Sequence, residues 1–323
     1  MLYPLKFQPL FKERVWGARN MERLYRKSLP PRVPIGESWE ITDRPGDVSV
    51  IANGALAGRD LHWLMENHGG ELLGSAKALN GRFPLLIKIL DAQDKLSLQV
   101  HPPAAKAAEL KGEPKTEMWF ITEAQPEAAL YVGLRRGVTR AEFERRIKDG
   151  TVEECFQRLD VRAGDAMFLP SGRVHAIGAG NVIFEIQQNS DTTYRVFDFN
   201  RVGLDGKPRE LHVPQSLASI DFGDFEPALE PRASTQRDNA TVRPVAQCPL
   251  FNVEQVGLAA GMTFPLARQT MHILGVVSGE IAVESPAGGL ALRAGEFGLV
   301  PASVAADVKA GRDASFLRVD AGR

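Results

Sequence analysis

Short apolar segments recur along the chain, separated from one another by glycine and proline residues, and in residues 96–101 apolar and polar side chains alternate. Successive side chains of a β-strand point to opposite faces of the sheet, so this alternation predicts a strand, and the short apolar runs between turn signals predict others. The clearest of these segments are residues 83–90, 96–101, 116–122, 166–170 and 181–188. Many short strands with such punctuation predict a mainly β protein, built as a sandwich or a barrel.

The segment 96–101 raises the question of what its polar face does. Each face carries three side chains, namely Leu96, Leu98 and Val100 against Ser97, Gln99 and His101. A half-exposed strand with its polar side in water would account for the pattern. A strand whose polar side points into a barrel and holds a ligand would also account for it, and the pattern alone leaves both interpretations open.

Helical spacing is confined to a few local stretches. Residues 58–74 carry apolar side chains at helical intervals. Residues 139–159 predict a pair of short helices, because Thr139 and Thr151 each stand three residues before a glutamate, as in a capping box. Gly150 fits the end of the first helix of the pair. The buried stripe of the second helix would consist of Val152, Cys155, Phe156 and Leu159.

An internal repeat divides the chain. Residues 164–170 and 295–301 both run from a glycine through an acidic residue to a proline six positions after the glycine. A predicted strand precedes each copy. Five residues after the proline, the first copy has His175 and the second has Ala306. The second copy therefore has the shape of the first without its ligand-type residue.

The repeat predicts the domain organisation. A chain of 323 residues is long enough for two units. We expect a first unit over residues 1–222, which contains both helical stretches, and a second unit over residues 223–323. The second unit would be a degenerate copy without metal ligands, kept for packing or for closing the pocket.

Composition and charge limit the binding partners and the cellular compartment that we expect for the protein. A hydrophobic content of 44% and a formal net charge of -1 predict a soluble protein without a field that favours nucleic acid or an anionic membrane. Charged residues interrupt the first 17 positions, and no apolar run approaches the roughly 20 residues of a membrane span. The two cysteines, Cys155 and Cys248, lack CxxC spacing, so we expect a reducing cytoplasm. The oligomeric state stays open.

Residue types that bind metals gather at the ends of predicted strands. His101 ends one strand, Glu117 shares a face with Lys115 in the next, and His175 follows a later turn. Together with the amide oxygen of Gln99, these side chains could enclose zinc, manganese, iron, cobalt or nickel. Spacing alone leaves a second interpretation open, in which each histidine is a hydrogen-bonded core residue.

Two motifs carry a resemblance to a known family. The second cupin motif, G-x5-P-x-G-x2-H, is matched in full by Gly164, Pro170, Gly172 and His175. The first cupin motif usually has H-x-H followed by Glu, and here Gln99-Val-His101 is followed by Glu117. This Gln form is characteristic of the type I mannose-6-phosphate isomerases. Further segments resemble that family, especially its short bacterial class: residues 15–17, 36–45, 83–90, 96–102, 114–121 and 185–201.

The resemblance, which covers roughly the first two thirds of the chain, implies a fold and a metal site. The implied fold is two cupin-type β-barrels of the jelly-roll kind, with a small helical insertion in the first. The implied cofactor is one divalent metal ion, with Zn²⁺ as the first choice. Its ligands by similarity are Gln99, His101, Glu117 and His175. Longer family members have a histidine where this chain has Pro114, so a mechanism that uses that histidine cannot operate here.

The resemblance also implies a reaction, the interconversion of mannose 6-phosphate and fructose 6-phosphate through an enediol. Arg195 resembles the family's catalytic arginine and would stabilise the enediolate or bind an anionic group. Lys115 is the first candidate for proton transfer and Asp191 the second. Lys88 and Ser97 are candidate substrate-binding residues. The substrate is a small sugar phosphate, and neither nucleic acid nor membrane is an expected partner.

Two alternatives to this function remain at the level of sequence. One is a cupin isomerase for another sugar or sugar phosphate. The other is a non-catalytic sugar-binding cupin, against which the presence of Lys115 and Arg195 argues. Glu37 and Glu40 are predicted to be structural and to pair with arginines near the barrel mouth.

Overall fold

The computed structural model describes residues 1–322, and these form a mainly β protein, as predicted. Strands β1 to β13 belong to the first part of the chain. Their bounds are β1 (Leu10–Ala18), β2 (Ile35–Ile41), β3 (Asp43–Arg44), β4 (Asp47–Val48), β5 (Leu85–Ala92), β6 (Leu98–Val100), β7 (Glu117–Ala124), β8 (Ala129–Leu134), β9 (Phe156–Asp160), β10 (Ala166–Leu169), β11 (His175–Ile177), β12 (Asn181–Gln188) and β13 (Tyr194–Phe197). The short strands β3 and β4 pair only with each other.

The other eleven strands form two antiparallel sheets. One has six strands in the order β1-β2-β5-β12-β7-β10, and the other has five in the order β13-β6-β11-β8-β9. We call these two sheets the first sheet pair. A buried cluster joins them, because it contains Leu90 and Ile183 of the six-stranded sheet together with Leu130, Val132 and Ile177 of the five-stranded sheet.

The six-stranded sheet is buried on both faces, which explains why its strands are so apolar. On β12, Phe184 and Ile186 pack into the largest core cluster, which also contains helix residues and much of the second half of the chain. The alternate residues Glu185 and Gln187 point to the opposite face, toward the five-stranded sheet. Buried polar side chains on that face need hydrogen-bond or ionic partners, and such partners are found in the candidate active site described in the next subsection.

The second half of the chain repeats this strand order. Its strands are β14 (Thr235–Arg237), β15 (Ala240–Gln247), β16 (Phe251–Leu258), β17 (Thr263–Leu266), β18 (His272–Ser278), β19 (Glu280–Glu284), β20 (Leu290–Arg293), β21 (Phe297–Val300), β22 (Ala306–Ala310) and β23 (Ala314–Ala321). They form a six-stranded sheet, β14-β15-β16-β23-β18-β21, and a four-stranded sheet, β17-β22-β19-β20. We call these the second sheet pair.

Strand register shows how the second copy differs from the first. Gln99 pairs with His175 between β6 and β11, and Leu266 pairs with Ala306 at the corresponding place between β17 and β22. The repeat detected in the sequence therefore has a structural counterpart, and apolar side chains take the places of two metal-ligand candidates.

The helices match the predictions in part. They are α1 (Asn20–Tyr25), α2 (Leu61–Leu73), α3 (Ala104–Ala107), α4 (Arg140–Asp149) and α5 (Val213–Ser219). The predicted helix at 58–74 is α2. The side chain of Thr139 caps α4, and Gly150 ends it in the left-handed conformation. Among residues 1–322, no helix combines the length and the apolar character that a bilayer crossing requires.

The predicted second helix at 151–159 is wrong. The side chain of Thr151 caps nothing, Val152–Cys155 forms a single 3₁₀ turn, and the chain then continues as the edge strand β9. Leu159 pairs with Leu130 of β8, so the backbone hydrogen bonds go to the sheet. Four apolar residues at helical spacing are too few to outweigh that pairing.

Candidate active site

A cavity of about 600 Å³ is lined by residues of both sheets in the first sheet pair and by the segment that follows β13. Its lining is strongly charged. The ionisable side chains are Glu13, Arg14, Glu37, Lys88, Lys115, Glu185, Asp191, Arg195, Asp205 and Arg209. Ser97 and Gln99 line the same cavity, so the polar face of the segment 96–101 points inward, as one of the two sequence interpretations required.

Three side chains at the strand ends form a possible metal site. His101 directly follows β6, Glu117 begins β7, and His175 begins β11. All three are fully buried, and one candidate ligand atom from each lies within 4.8 Å of the others. Nε2 of His101 is 3.6 Å from one carboxylate oxygen of Glu117, and Nε2 of His175 is 3.4 Å from the other.

Backbone carbonyls orient both imidazole rings. Nδ1 of His101 lies 2.8 Å from the carbonyl oxygen of Thr192, and Nδ1 of His175 lies 2.9 Å from that of Arg173. A carbonyl oxygen only accepts, so each Nδ1 donates and each Nε2 presents its lone pair toward Glu117. Metal-binding histidines are held in this way.

Unsatisfied atoms in this group fit a bound metal. Within residues 1–322, His101 Nε2 and both carboxylate oxygens of Glu117 are buried without a hydrogen-bond partner. Lys115 Nζ forms an ion pair with Glu117 Oε2 at 3.1 Å, outside hydrogen-bond geometry. Buried polar atoms are rarely left unpaired, and a cation between the two imidazoles and the carboxylate would satisfy all three atoms.

The protonation states also suit a metal. Burial lowers the pKa of His101 to about 4, and the charge of Lys115 acts in the same direction. Burial likewise lowers the pKa of His175. Burial would raise the pKa of Glu117, but the charge of Lys115 and the neighbouring His101 hold it well below its ordinary value. Near neutral pH, the site therefore offers two neutral imidazoles and one carboxylate, which can bind a cation without losing protons.

Gln99 is the fourth predicted ligand and lies beside this group. Its amide Nε2 is 3.3 Å from Nε2 of His175. Amides bind metals through oxygen. Gln99 would therefore act as a ligand only with its side-chain amide rotated so that Oε1 and Nε2 exchange places.

A row of four side chains crosses the cavity wall of the six-stranded sheet. Trp39, Lys88, Glu185 and Trp119 are paired in register across β2, β5, β12 and β7. Lys88 Nζ lies 3.0 Å from Glu185 Oε2 and 5.3 Å from the centre of the Trp39 ring. The indole nitrogen of Trp119 donates to Glu185 Oε1 at 2.9 Å.

Glu37 extends this row toward the rim. It accepts from Arg14 Nε at 2.8 Å and from the indole nitrogen of Trp39 at 2.6 Å. Burial acts against the charged form of each group. However, Lys88 and Arg14 lower the pKa of Glu37 to about 2, and Glu185 and Glu37 raise that of Lys88 above its ordinary value. Lys88 is therefore a cation in this cavity.

The low pKa of Glu37 predicts that this residue contributes to the loss of folding stability in acid. Unfolding restores a pKa of about 4.5, so the unfolded chain binds a proton that the folded chain excludes between about pH 4.5 and pH 2. Glu37 therefore contributes stability above this window, up to about 3 kcal/mol, and the contribution disappears as the pH falls through it. Chemical denaturation at several pH values should show a flatter acid slope for Glu37→Gln than for the wild type. Equal slopes would contradict the prediction.

An arginine cluster lies on the opposite side of the cavity, where β13 and the segment after it supply Arg195 and Arg209 to the lining. Asp198 binds both Arg209, with Nε to Oδ2 at 2.6 Å, and Arg201, with Nη2 to Oδ1 at 2.8 Å. Arg195 is adjacent in this cluster, and its Nη1 donates to the carbonyl oxygen of Glu210 at 2.8 Å. Burial and the nearby charge of Arg209 lower the pKa of Arg195. Among the described residues, its buried Nε has no partner.

The structure brings the sequence candidates together around one cavity. Those that line it directly are Lys88, Ser97, Gln99, Lys115, Asp191 and Arg195, and the two histidines lie beside Glu117. Leu98 and Val100 pack behind, as expected, but Leu96 precedes β6 and lines the cavity instead.

Sequence reasoning assigned two glutamates to structural roles and missed other residues. Glu40 is structural but pairs with Lys27, at 2.7 Å, rather than with an arginine. Glu37 pairs with Arg14, as predicted, yet it also lines the cavity. Glu185 was missed, although a glutamate inside the apolar strand β12 signals a buried partner. Arg209 lies in a loop and carried no comparable signal.

The fold and the site together define a mainly β protein with a buried histidine–carboxylate group that could hold a metal ion, beside a charged cavity. The family model "Phosphomannose isomerase type I, catalytic domain" matches residues 4–133. The mannose-6-phosphate isomerase of Streptococcus mutans is 34% identical over 305 residues, which is 94% of this chain and 94% of that protein. The chain belongs to the type I mannose-6-phosphate isomerase family, and the sequence-based assignments to the family and its enzyme class are confirmed.

Further comparisons agree with this membership. Mannose-6-phosphate isomerase ManA of Bacillus subtilis is 35% identical over 285 residues, 86% of either chain. The crystal structure of the mannose 6-phosphate isomerase from Bacillus subtilis superposes with a TM-score of 0.89 at 28% identity, covering 99% of both chains. The similarity therefore extends through both sheet pairs.

Proposed function

We propose that the cavity interconverts mannose 6-phosphate and fructose 6-phosphate through an enediol, as a metal-dependent aldose–ketose isomerase. One observation carries the proposal. Lone pairs of His101, Glu117 and His175 converge beside a cavity lined by both cations and carboxylates, and those of His101 Nε2 and both Glu117 oxygens have no hydrogen-bond partner among the described residues. The names of the relatives indicate a sugar phosphate as the substrate. The side chains that line the cavity provide the charged groups that isomerisation of this substrate requires.

The proposed cofactor is one divalent ion, with Zn²⁺ as the first choice, held by His101, Glu117, His175 and Gln99. This set of nitrogen and oxygen donors suits zinc and also manganese, iron, cobalt or nickel. A bound divalent ion would act as a Lewis acid on the oxygen atoms at C1 and C2 of the sugar.

Proton transfer between C2 and C1 is assigned to Lys115 Nζ. Lys115 is almost fully buried, lines the cavity and lies 3.1 Å from Glu117. A divalent ion held by Glu117 would replace this ion pair and favour the neutral amine that a base requires, whereas Glu185, the partner of Lys88, is not a metal-ligand candidate. Asp191 lines the same cavity from an exposed position and is the second candidate. Lys88 is held as a cation by Glu185, so its role is to stabilise negative charge on the enediolate rather than to remove a proton.

The phosphate is assigned to the arginine-rich wall. Asp198 pairs with Arg201 and Arg209, Arg201 also pairs with Asp94, and Arg195 keeps a buried Nε without a partner among the described residues, so guanidinium donors are available to a dianion. The opposite wall balances Arg14 and Lys88 with glutamates, so it suits the neutral hydroxyl groups of the sugar. Ser97 is assigned to the hydroxyl groups as well.

Arg209→Gln should raise the KM for mannose 6-phosphate about tenfold or more, because hydrogen bonds to a charged group are worth about 1.5–3 kcal/mol. The kcat should change little, since the phosphate is remote from the reacting carbons. Steady-state kinetics would measure both constants. Arg293→Gln, on β20, is the matched control and should leave both unchanged. An unchanged KM in Arg209→Gln would place the phosphate elsewhere.

The repeated strand order supports a finer description of the fold. We infer that each sheet pair is one cupin-type jelly-roll barrel, with α4 as the helical insertion in the first. Residues 1–222 would form the metal-binding domain and residues 223–323 the degenerate one. The two free cysteines agree with our proposal of a cytoplasmic location.

The direct test is turnover of mannose 6-phosphate by the purified protein, before and after treatment with a strong chelator. We expect activity to disappear on chelation and to return with Zn²⁺ or another single divalent ion. A folded, metal-loaded protein that leaves mannose 6-phosphate unchanged would contradict the proposed reaction. Turnover that survives complete metal removal would contradict the metal dependence.

A further inference from the structure

Glu37 is a largely buried carboxylate at the cavity wall that makes no contact with the metal-ligand candidates. Its side chain is only 12% exposed. Glu37 lies on β2, two residues before Trp39, so both side chains belong to the same face. Its oxygens are divided between two partners, Arg14 Nε at 2.8 Å and the indole nitrogen of Trp39 at 2.6 Å.

Both partners of Glu37 are obligate donors. A guanidinium group and an indole N–H can donate but cannot accept, so this position requires a side chain that accepts at both ends. A carboxylate meets that requirement. A glutamine of the same shape does not, because its amide group would face one of the two donors. The position is therefore specific for the ionised acid.

Through Trp39, Glu37 reaches Lys88. The indole ring that donates to Glu37 presents its face to Lys88 Nζ, which lies 5.3 Å from the ring centre. Lys88 is paired in register with Trp39 on one side and with Glu185 on the other. Glu185 is fixed in the same manner, by the indole nitrogen of Trp119 at 2.9 Å. The Lys88 ammonium therefore pairs with Glu185 and faces the Trp39 ring, and a tryptophan donates to each of the two glutamates.

We propose that Glu37 is a positioning residue for the isomerisation, which holds the Lys88 ammonium at the cavity wall by fixing the Trp39 ring beneath it. This inference rests on the proposed function, since it assigns Glu37 to the reaction only through Lys88. Loss of the carboxylate releases the ring and removes a neighbouring negative charge, so the cation moves away from the place where charge develops. Small displacements of this kind are costly for catalysis.

The test is a double-mutant cycle between Glu37→Gln and Lys88→Met, with kcat and KM for mannose 6-phosphate measured on the zinc-loaded full chain. Glu37→Gln alone should lower kcat about tenfold or more with little change in KM. In the Lys88→Met background, the same substitution should change kcat less than about twofold, because residues that act through one another are not additive.

Two further variants make the test specific. Glu40→Gln is the matched control, because Glu40 lies on the same strand and its ion pair with Lys27 is outside the cavity. It should leave kcat unchanged in both backgrounds. Trp39→Phe keeps an aromatic ring but removes the donor to Glu37. It should lower kcat and again be non-additive with Lys88→Met, which tests the inference if Glu37→Gln does not fold.

Several outcomes would overturn the inference. They are an equal loss of kcat from Glu37→Gln in both backgrounds, an unchanged kcat in the single variant, or a loss of bound zinc from Glu37→Gln. A wild-type protein that does not turn over mannose 6-phosphate would instead contradict the proposed function, so the two failures are distinguishable.

Discussion

His175→Asn should lose its bound metal and lower turnover of mannose 6-phosphate by about 1,000-fold or more. Asparagine can still donate to the carbonyl oxygen of Arg173, which receives His175 Nδ1 at 2.9 Å, so the local backbone keeps its partner. The lone pair of Nε2, which faces Glu117, is lost. Because a metal contributes several kcal/mol of charge stabilisation in the transition state, its loss accounts for an effect of this size.

The measurements are metal content by elemental analysis and turnover at saturating substrate. His175 is neutral near pH 7, because burial lowers its pKa, so removing it leaves no unpaired buried charge. A destabilised fold is therefore a smaller concern than for Glu117, whose removal would leave Lys115 buried without its ion pair. Stoichiometric metal together with wild-type turnover in His175→Asn would show that the ligand assignment is wrong.

The second sheet pair provides a matched control. His272 is also a buried histidine, but both of its ring nitrogens have partners, Asp320 and the carbonyl oxygen of Ala267. It therefore has no free lone pair for a metal. His272→Asn should lower the melting temperature without changing metal content, so the comparison separates a ligand from a satisfied core histidine.

Local sequence patterns were sufficient for the strands and for much of the site. Short apolar segments between turn signals predicted β5, β6, β7 and β12 to within a few residues. The alternation over residues 96–101 separated its polar face from its apolar face but left both directions of the polar face open. The short glycine-to-proline repeat falls in corresponding places of two similar strand orders. These features are encoded within a few consecutive residues, where the strand period dominates.

Contacts between distant strands could not be predicted in the same way. Lys88 and Glu185 are 97 positions apart, and their ion pair depends on β5 and β12 being neighbours in register. Nothing near either residue in the sequence specifies that neighbour. The error at β9 has a similar origin, because pairing with β8 decided between a strand and a helix. Local residue spacing therefore does not predict which distant strands pair with each other.

Lys115→Met should lower kcat by about 100-fold to 10,000-fold, the range that proton transfer by a positioned side chain contributes. Methionine has a similar length and no amine, so the cavity keeps its shape while the proton carrier is lost. Removal of the ammonium frees Glu117 from an ion pair at 3.1 Å, so we expect metal content to be retained or increased. The effect on kcat would therefore not follow from a lost metal.

Two companion variants decide what Lys115 contributes. Lys115→Arg keeps the positive charge but cannot act as a base, so it should remain as inactive as Lys115→Met. Recovery of activity in Lys115→Arg would show that the role is electrostatic. Exchange of the C2 hydrogen of mannose 6-phosphate with deuterated solvent should be absent in both variants and present in the wild type. If Asp191→Asn abolishes this exchange while Lys115→Met retains it, the proton is carried by Asp191, and Lys115 serves only to balance the charge of Glu117.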